Sequence, residues 1–97
     1  VLISRGARPA LLRLAQPHDG QSVYTLEPPA IDVVNPIGCG DCLAAGVATA
    51  IAAGQPLVAA VRYGMGAAVE NALHLLPAIL TPEHVAQQAA RVRVAAL

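Results

Sequence analysis

The sequence runs to 97 residues, enough for one domain with a modest core. It is 56% hydrophobic and 12% charged with a formal net charge of zero, a balance that leaves no basic footprint for nucleic acid and no polybasic segment for an anionic membrane. No apolar run approaches the length of a bilayer-spanning helix.

Phe, Trp and Lys are absent, and the apolar content is mostly Ala, Val and Leu. So apolar a composition points to a piece of something larger whose faces meet partners, rather than to an Ala-rich helical monomer. The opening Val1-Leu2-Ile3-Ser4-Arg5-Gly6 lacks the charged and long apolar regions of a signal peptide. It starts directly on a strand-like run without an initiator Met, as a segment of a longer polypeptide does. Two cysteines do not make a disulfide framework, and the cytoplasm is the expected compartment.

Val1-Leu2-Ile3-Ser4 is a short β-rich run, and Ala7-Arg8-Pro9 separates it from the apolar run Ala10 to Ala15. That spacing predicts a hairpin. Gln16-Pro17-His18-Asp19-Gly20 reads as a turn, because Pro presets φ and Asp-Gly supports a positive φ. Ser22 to Leu26 alternates and ends at Glu27-Pro28-Pro29, which cannot continue a ladder. Three strands in meander order result. Ile31-Asp32-Val33-Val34 is an extended lead-in, and Pro36 biases Asn35 away from helical angles. A helix follows from Asp41 to Ala53 with Leu43, Val47, Ala50 and Ile51 on one stripe. Gly46 on that helix permits close approach by a neighbouring backbone. Gly54-Gln55-Pro56 ends it.

Leu57, Val61, Met65, Val69 and Leu73 form the stripe of a second helix reaching about His74. Leu75 to Leu80 is non-periodic and reads as a connector. Thr81-Pro82-Glu83 is a helix start, with Thr as cap, Pro at the first position and Glu near the positive end of the dipole. The third helix carries Val85, Ala89, Val92 and Ala96, and Arg91 and Arg93 read as its solvated last turn. Arg62 lies off the apolar stripe as a surface or interface charge. Glu27 and Asp32 read as solvated loop carboxylates.

The chemistry is concentrated in Asn35-Pro36-Ile37-Gly38-Cys39-Gly40-Asp41-Cys42. Glycines around one residue let amide N–H groups converge on a phosphate oxygen, and the helix that follows adds about half a positive charge there. An aspartate at that mouth can take a proton from an incoming hydroxyl while the amides stabilise charge on a transferring phosphoryl group. Plain helix capping is the alternative reading of the same residues.

The stretch Val33 to Gly46 resembles the second signature of the PfkB (ribokinase-like) carbohydrate kinases, usually D-T-x-G-A-G-D-x-F-x-A-G. With Asn35-Pro36 before the glycines it is most similar to the tagatose-6-phosphate kinase and 1-phosphofructokinase branch. Val1 to Leu12 is similar to the family's nucleotide-side strand and turn, Pro56 to Gly64 to the helix after the signature, and Asn71-Ala72-Leu73 to the branch's A-N-A-L. The resemblance implies an α/β fold, the C-terminal part of a ribokinase-like domain spanning 1–97, here as three strands followed by three helices. It implies ATP-dependent phosphorylation of a sugar or sugar phosphate hydroxyl, with Asp41 as catalytic base. Gly38, Cys39, Gly40 and the Asp41 amide would form the anion hole, Ser4 and Gly6 the turn near the nucleotide, and Met65 part of the adenine pocket. By local pattern alone, Met65 is ordinary helix packing. Mg2+ is implied with ATP, its ligands lying in segments that this chain does not include. Asn35 and Ile37 fall where some members hold a monovalent cation; Asn35 replaces the usual Asp, and the resemblance is not carried over to that cation.

Three departures from the family pattern stand out. Arg5 occupies a usual Leu position, Pro9 replaces the second glycine of the nucleotide turn, and His74 to Ile79 contains no glycine where a Pro-Gly loop is usual. The family's sugar-binding half, lid and N-x-x-E motif precede the region present here. The 97 residues alone are therefore expected to be inactive, either as a remnant or as a module that needs the N-terminal half or an oligomeric partner. A rival reading takes Cys39-Gly40-Asp41-Cys42 as a redox C-x-x-C at a helix N-terminus. Zinc is not expected, because His18, His74 and His84 are scattered along the chain.

Overall fold

The computed structural model describes residues 1–97. Strands β1 (Leu2–Arg5), β2 (Arg8–His18) and β3 (Gln21–Glu27) form an antiparallel meander. Helices α1 (Cys39–Ala52), α2 (Leu57–Ala72) and α3 (Pro82–Ala89) follow, and strand β4 (Arg93–Ala96) returns to pair antiparallel with β3.

The turns form where the residue chemistry asks for them. Asp19 and Gly20 both take positive φ, 50° and 76°, the mirror-image two-residue turn that matches strand twist. The strand before it runs on to His18, so the turn is shorter than the sequence alone implies. Between β1 and β2 the register slips by one residue between Ile3 and Arg5. Pro9 lies opposite this slip, and a residue without an N–H is tolerated at such a bulge.

Alternation along β2 and β3 puts Ala10, Leu12, Tyr24 and Leu26 on one buried face. Val61 and Met65 of α2 close over that face together with Val92. A smaller cluster of Cys42, Ala67 and Val85 joins the three helices. Helix α2 is buried on most of its circumference because the sheet, α1 and α3 all pack on it. Gly46 and Gly64 bring α1 and α2 close: a Cβ on Gly46 would lie 2.7 Å from the Gly64 Cα. The expected close backbone approach at Gly46 is therefore real.

Two expectations are corrected. The third helix ends at Ala89, so Arg93 and Ala96 belong to β4, where Arg93 pairs with Glu27 and Ala96 with Tyr24. Val92 lies between the two elements and is 1% exposed. Ile51 is half exposed, because α1 turns Cys42, Gly46 and Ala50 inward instead. Thr81 caps α3 as anticipated, its hydroxyl accepting the His84 amide at 3.3 Å.

Candidate active site

Gly38 is the N-cap of α1 in a left-handed conformation, φ 84° and ψ 0°. Its Cα approaches Pro77, whose Cβ would lie 3.3 Å from a Cβ at Gly38. The left-handed angle and this neighbour together demand glycine. A helix leaves its first amides without intrahelical acceptors. Here the Cys39 amide donates to the Pro36 carbonyl at 3.3 Å, whereas the Gly40 and Asp41 amides have no partner in the chain. Two free N–H groups therefore mark the mouth of α1. Asp41 stands exposed in the same first turn and enters no ion pair.

The loop is held from behind by the C-terminal end of α2. Val34 and Asn35 donate their amides to the Ala72 carbonyl at 2.8 and 3.2 Å. The Asn35 side chain donates to the Leu75 carbonyl at 2.8 Å and accepts the Ile37 amide at 3.0 Å. Both of its polar ends are thus engaged within the loop. Asn71, fully buried, donates to the Ile37 carbonyl at 2.8 Å and to Cys39 Sγ at 3.3 Å, and accepts the Ala78 amide at 2.7 Å. One side chain thus joins the glycine loop, α2 and the connector after it.

A cavity of about 550 Å³ opens beside the α1 N-terminus. Its wall includes Ser4, Arg5 and Gly6 of the β1–β2 hairpin, Cys39 and Gly40 of the loop, and Met65 of α2. Glu27, Pro28 and Ile31 of the segment leaving β3 complete it. Five expected site residues (Ser4, Gly6, Cys39, Gly40 and Met65), far apart in sequence, are therefore brought to one cavity. Gly38 and Asp41 are not on its wall; they lie at its edge, as chain neighbours of Cys39 and Gly40. The cavity is within the size range of small-molecule sites and is mostly apolar, with backbone donors at one end. Those features fit a nucleotide. No three His, Cys, Asp or Glu side chains cluster as a protein cage for a metal ion.

Burial pushes the Cys42 thiol above its ordinary value, helped by the neighbouring Cys39 and the Asp41 charge. A redox cysteine at a helix N-terminus works with a lowered thiol pKa. Cys42 has the opposite shift and packs at the helix interface, so it is not itself the attacking thiol of such a pair. Met65 is 7% exposed in the core and also lies on the cavity wall. Arg62 donates to the Val92 and Ala90 carbonyls at 3.1 Å each and so fastens the exit of α3. Glu70 gathers His74 at 2.7 Å, Gln88 at 3.3 Å and His84 at 4.0 Å. Two of the three histidines are therefore neighbours after all. Asn71 and Glu70 are the residues that sequence reasoning missed as organisers; a polar pair inside an otherwise apolar helix was the available signal.

No helix is long and apolar enough to cross a membrane. A sequence comparison with curated proteins gives no match. Among solved structures, a candidate phosphofructokinase from Staphylococcus aureus superposes with a TM-score of 0.84 at 22% identity, over 99% of this chain and 29% of that one. Phosphofructokinase-2 from Escherichia coli, in complex with substrates and products, gives 0.77 at 19% identity, over 92% and 27%. A candidate sugar kinase from Clostridium perfringens gives 0.75 at 19%, over 99% and 29%. The chain spans less than a third of each. These likenesses establish the fold as the α/β arrangement that the chain shares with part of each of those proteins. The model of the pfkB family of carbohydrate kinases matches residues 1–83, and the chain belongs to that family.

Proposed function

We propose that this chain forms the ATP side of a sugar or sugar phosphate kinase, with Asp41 as the general base. The observation that carries the reading is the convergence at the α1 N-terminus: free Gly40 and Asp41 amides, an exposed carboxylate, and a cavity of about 550 Å³ walled by Ser4, Gly6, Cys39 and Met65. ATP supplies the phosphoryl group, and magnesium accompanies it on ligands outside this chain. Asp41 takes the proton of the acceptor hydroxyl as that oxygen bonds to the γ-phosphorus and the bond to the β-phosphate oxygen breaks, releasing ADP. The Gly40 and Asp41 amides, with the dipole of α1 behind them, stabilise the charge that develops on the transferred group. Asn71 keeps those amides in place by fixing the Ile37 carbonyl and Cys39. The cytoplasm, where ATP is abundant, is the proposed setting. The proposed acceptor is a hydroxyl of a sugar or sugar phosphate, with the tagatose-6-phosphate kinase and 1-phosphofructokinase branch as the proposed relatives.

In the kinase that contains this chain, Asp41→Asn should lower kcat by about a hundredfold or more while MgATP affinity stays close to normal. The assay is phosphoryl transfer from ATP to fructose 1- or 6-phosphate, tagatose 6-phosphate and free sugars. Near-normal turnover of the variant on every acceptor would sink the assignment.

A second reading has its own support. Val33, Val34, Ile37, Leu75, Leu76 and Ile79 are each more than half exposed, on the two segments that Asn35 and Asn71 tie together. So much apolar surface beside the loop favours a module that works only with a covering partner segment, and is inactive by itself. Turnover by the 97 residues alone would eliminate this reading.

A further inference from the structure

We infer that Arg5 is a phosphate-binding side chain of the cavity, selecting a polyphosphate-bearing ligand over an uncharged one. This rests on the nucleotide reading of the cavity and names which part of the ligand the β1–β2 hairpin recognises.

Only two charged residues stand on the cavity wall, Arg5 and Glu27. Glu27 is already paired, its carboxylate 2.8 Å from the Arg93 guanidinium. Arg5 has no acidic partner anywhere in the chain. It is nevertheless half-buried, and its Nε donates to the Pro9 carbonyl across the β1–β2 bulge. That bond uses one of five guanidinium donors and holds the group near one orientation, leaving the two terminal nitrogens for an anion. Pro9 suits this task because the slip in register, at a residue with no N–H, leaves its carbonyl available to the side chain.

A second observation points the same way. Arg8 lies directly opposite Arg5 in the ladder. Like charges in that arrangement destabilise a hairpin, and nothing in the chain neutralises them. An anion at the hairpin end would. Across the same cavity lies Gly40, whose free amide begins α1. Arginine on one wall and helix amides on the other are complementary to an extended chain of phosphates, and the apolar lining between Pro28, Ile31 and Met65 accommodates the uncharged remainder.

Titration calorimetry of the full chain, its Arg5→Leu and Arg5→Lys variants and an Arg13→Leu control tests this with MgATP, inorganic tripolyphosphate and adenosine as probes. Arg13 is exposed on the strand away from the cavity wall. The expected result is at least about a tenfold loss of MgATP and tripolyphosphate affinity in Arg5→Leu, the range of a charge-assisted hydrogen bond. Arg5→Lys should recover part of it, and adenosine binding and Arg13→Leu should be unaffected. Thermal melts of the variants show that the hairpin still folds. Equal MgATP and tripolyphosphate affinity in Arg5→Leu and the parent overturns the role of Arg5 while leaving the nucleotide site standing. Tripolyphosphate binding that depends on Arg5, with no binding of adenosine and no advantage for MgATP, supports Arg5 and overturns the nucleotide reading. Failure of the parent chain to bind any of the three overturns both.

Discussion

The Asn71 side-chain oxygen accepts the Ala78 amide at 2.7 Å, and Ala78 itself takes a left-handed φ of 61°. An L-residue pays about 1 kcal/mol to adopt that conformation, which glycine enters freely. The buried amide of Asn71 therefore holds the connector in a shape that its own sequence, Pro77-Ala78, disfavours. Ala78→Gly should raise stability by about 0.5 kcal/mol, the relief of strain exceeding the extra chain entropy of glycine in the unfolded state. Chemical denaturation measures it; a loss of stability would show that the connector is not left-handed at this position.

Removing the other partner is expected to be far more damaging. Asn71→Ala leaves the Ile37 carbonyl and the Ala78 amide without their partner at a fully buried position. A buried group left unsatisfied costs roughly 1–3 kcal/mol; Ile37 and Ala78 are exposed residues, where water offsets part of that cost, so a total loss of about 2–4 kcal/mol is expected. Cys39 also loses the donor to its sulfur, and its alkylation by iodoacetamide should accelerate as the loop loosens. Asn71→Asp separates the two halves of the effect, since it keeps the acceptor for Ala78 and loses the donor to Ile37. Unchanged melting in both variants would mean that the loop does not depend on this side chain.

The parts of the fold that were legible in sequence are those set by neighbours along the chain. Thr81-Pro82-Glu83 carries its cap within four residues, Asp19-Gly20 carries its turn, and Gly38 with Gly40 announces the helix mouth. Strand β4 was not legible, because Val85, Ala89, Val92 and Ala96 recur at helical spacing. What overrides that pattern is the edge of β3, which offers Glu27, Leu26, Thr25 and Tyr24 as partners across more than 60 residues. The alternation Val92-Arg93-Val94 was the weak local sign of it. Asn71 illustrates the same limit inside the candidate site. Its partners lie 34 residues before it and 7 after it, and only the packing of α1 on α2 brings them together. Arg5 and Pro9 read as separate departures from a pattern, and the folded hairpin makes them one hydrogen-bonded unit.

The α1–α2 contact gives a prediction about size. A Cβ on Gly64 would lie 2.6 Å from the Leu43 carbonyl oxygen and 2.6 Å from Val47 Cγ2. Backbone cannot yield to a methyl group there without separating the helices, so Gly64→Ala should cost about 2 kcal/mol or more. Gly40→Ala is the contrasting case. A Cβ there meets nothing within 4 Å, and the residue has no positive φ. Its stability should stay within about 0.5 kcal/mol of the parent. Equal melting of the two variants would contradict the close packing of α1 on α2.

Cys42 supplies a prediction in pH. Its thiol ionises in the folded chain at a pKa raised above 9.0, first by burial and then by the charges of Cys39 and Asp41. In the unfolded chain the thiol ionises near its ordinary value, so above that pH the unfolded state has released a proton that the folded state retains. The contribution is therefore fully present below about pH 9 and is lost as pH rises through the folded pKa. Cys42→Ala removes a side chain that is 6% exposed and should melt lower than the parent at pH 7. It also removes the ionisation, so the gap between the two melting temperatures should narrow from pH 8 to pH 10. A gap that stays constant over that range would show that Cys42 ionises as readily folded as unfolded.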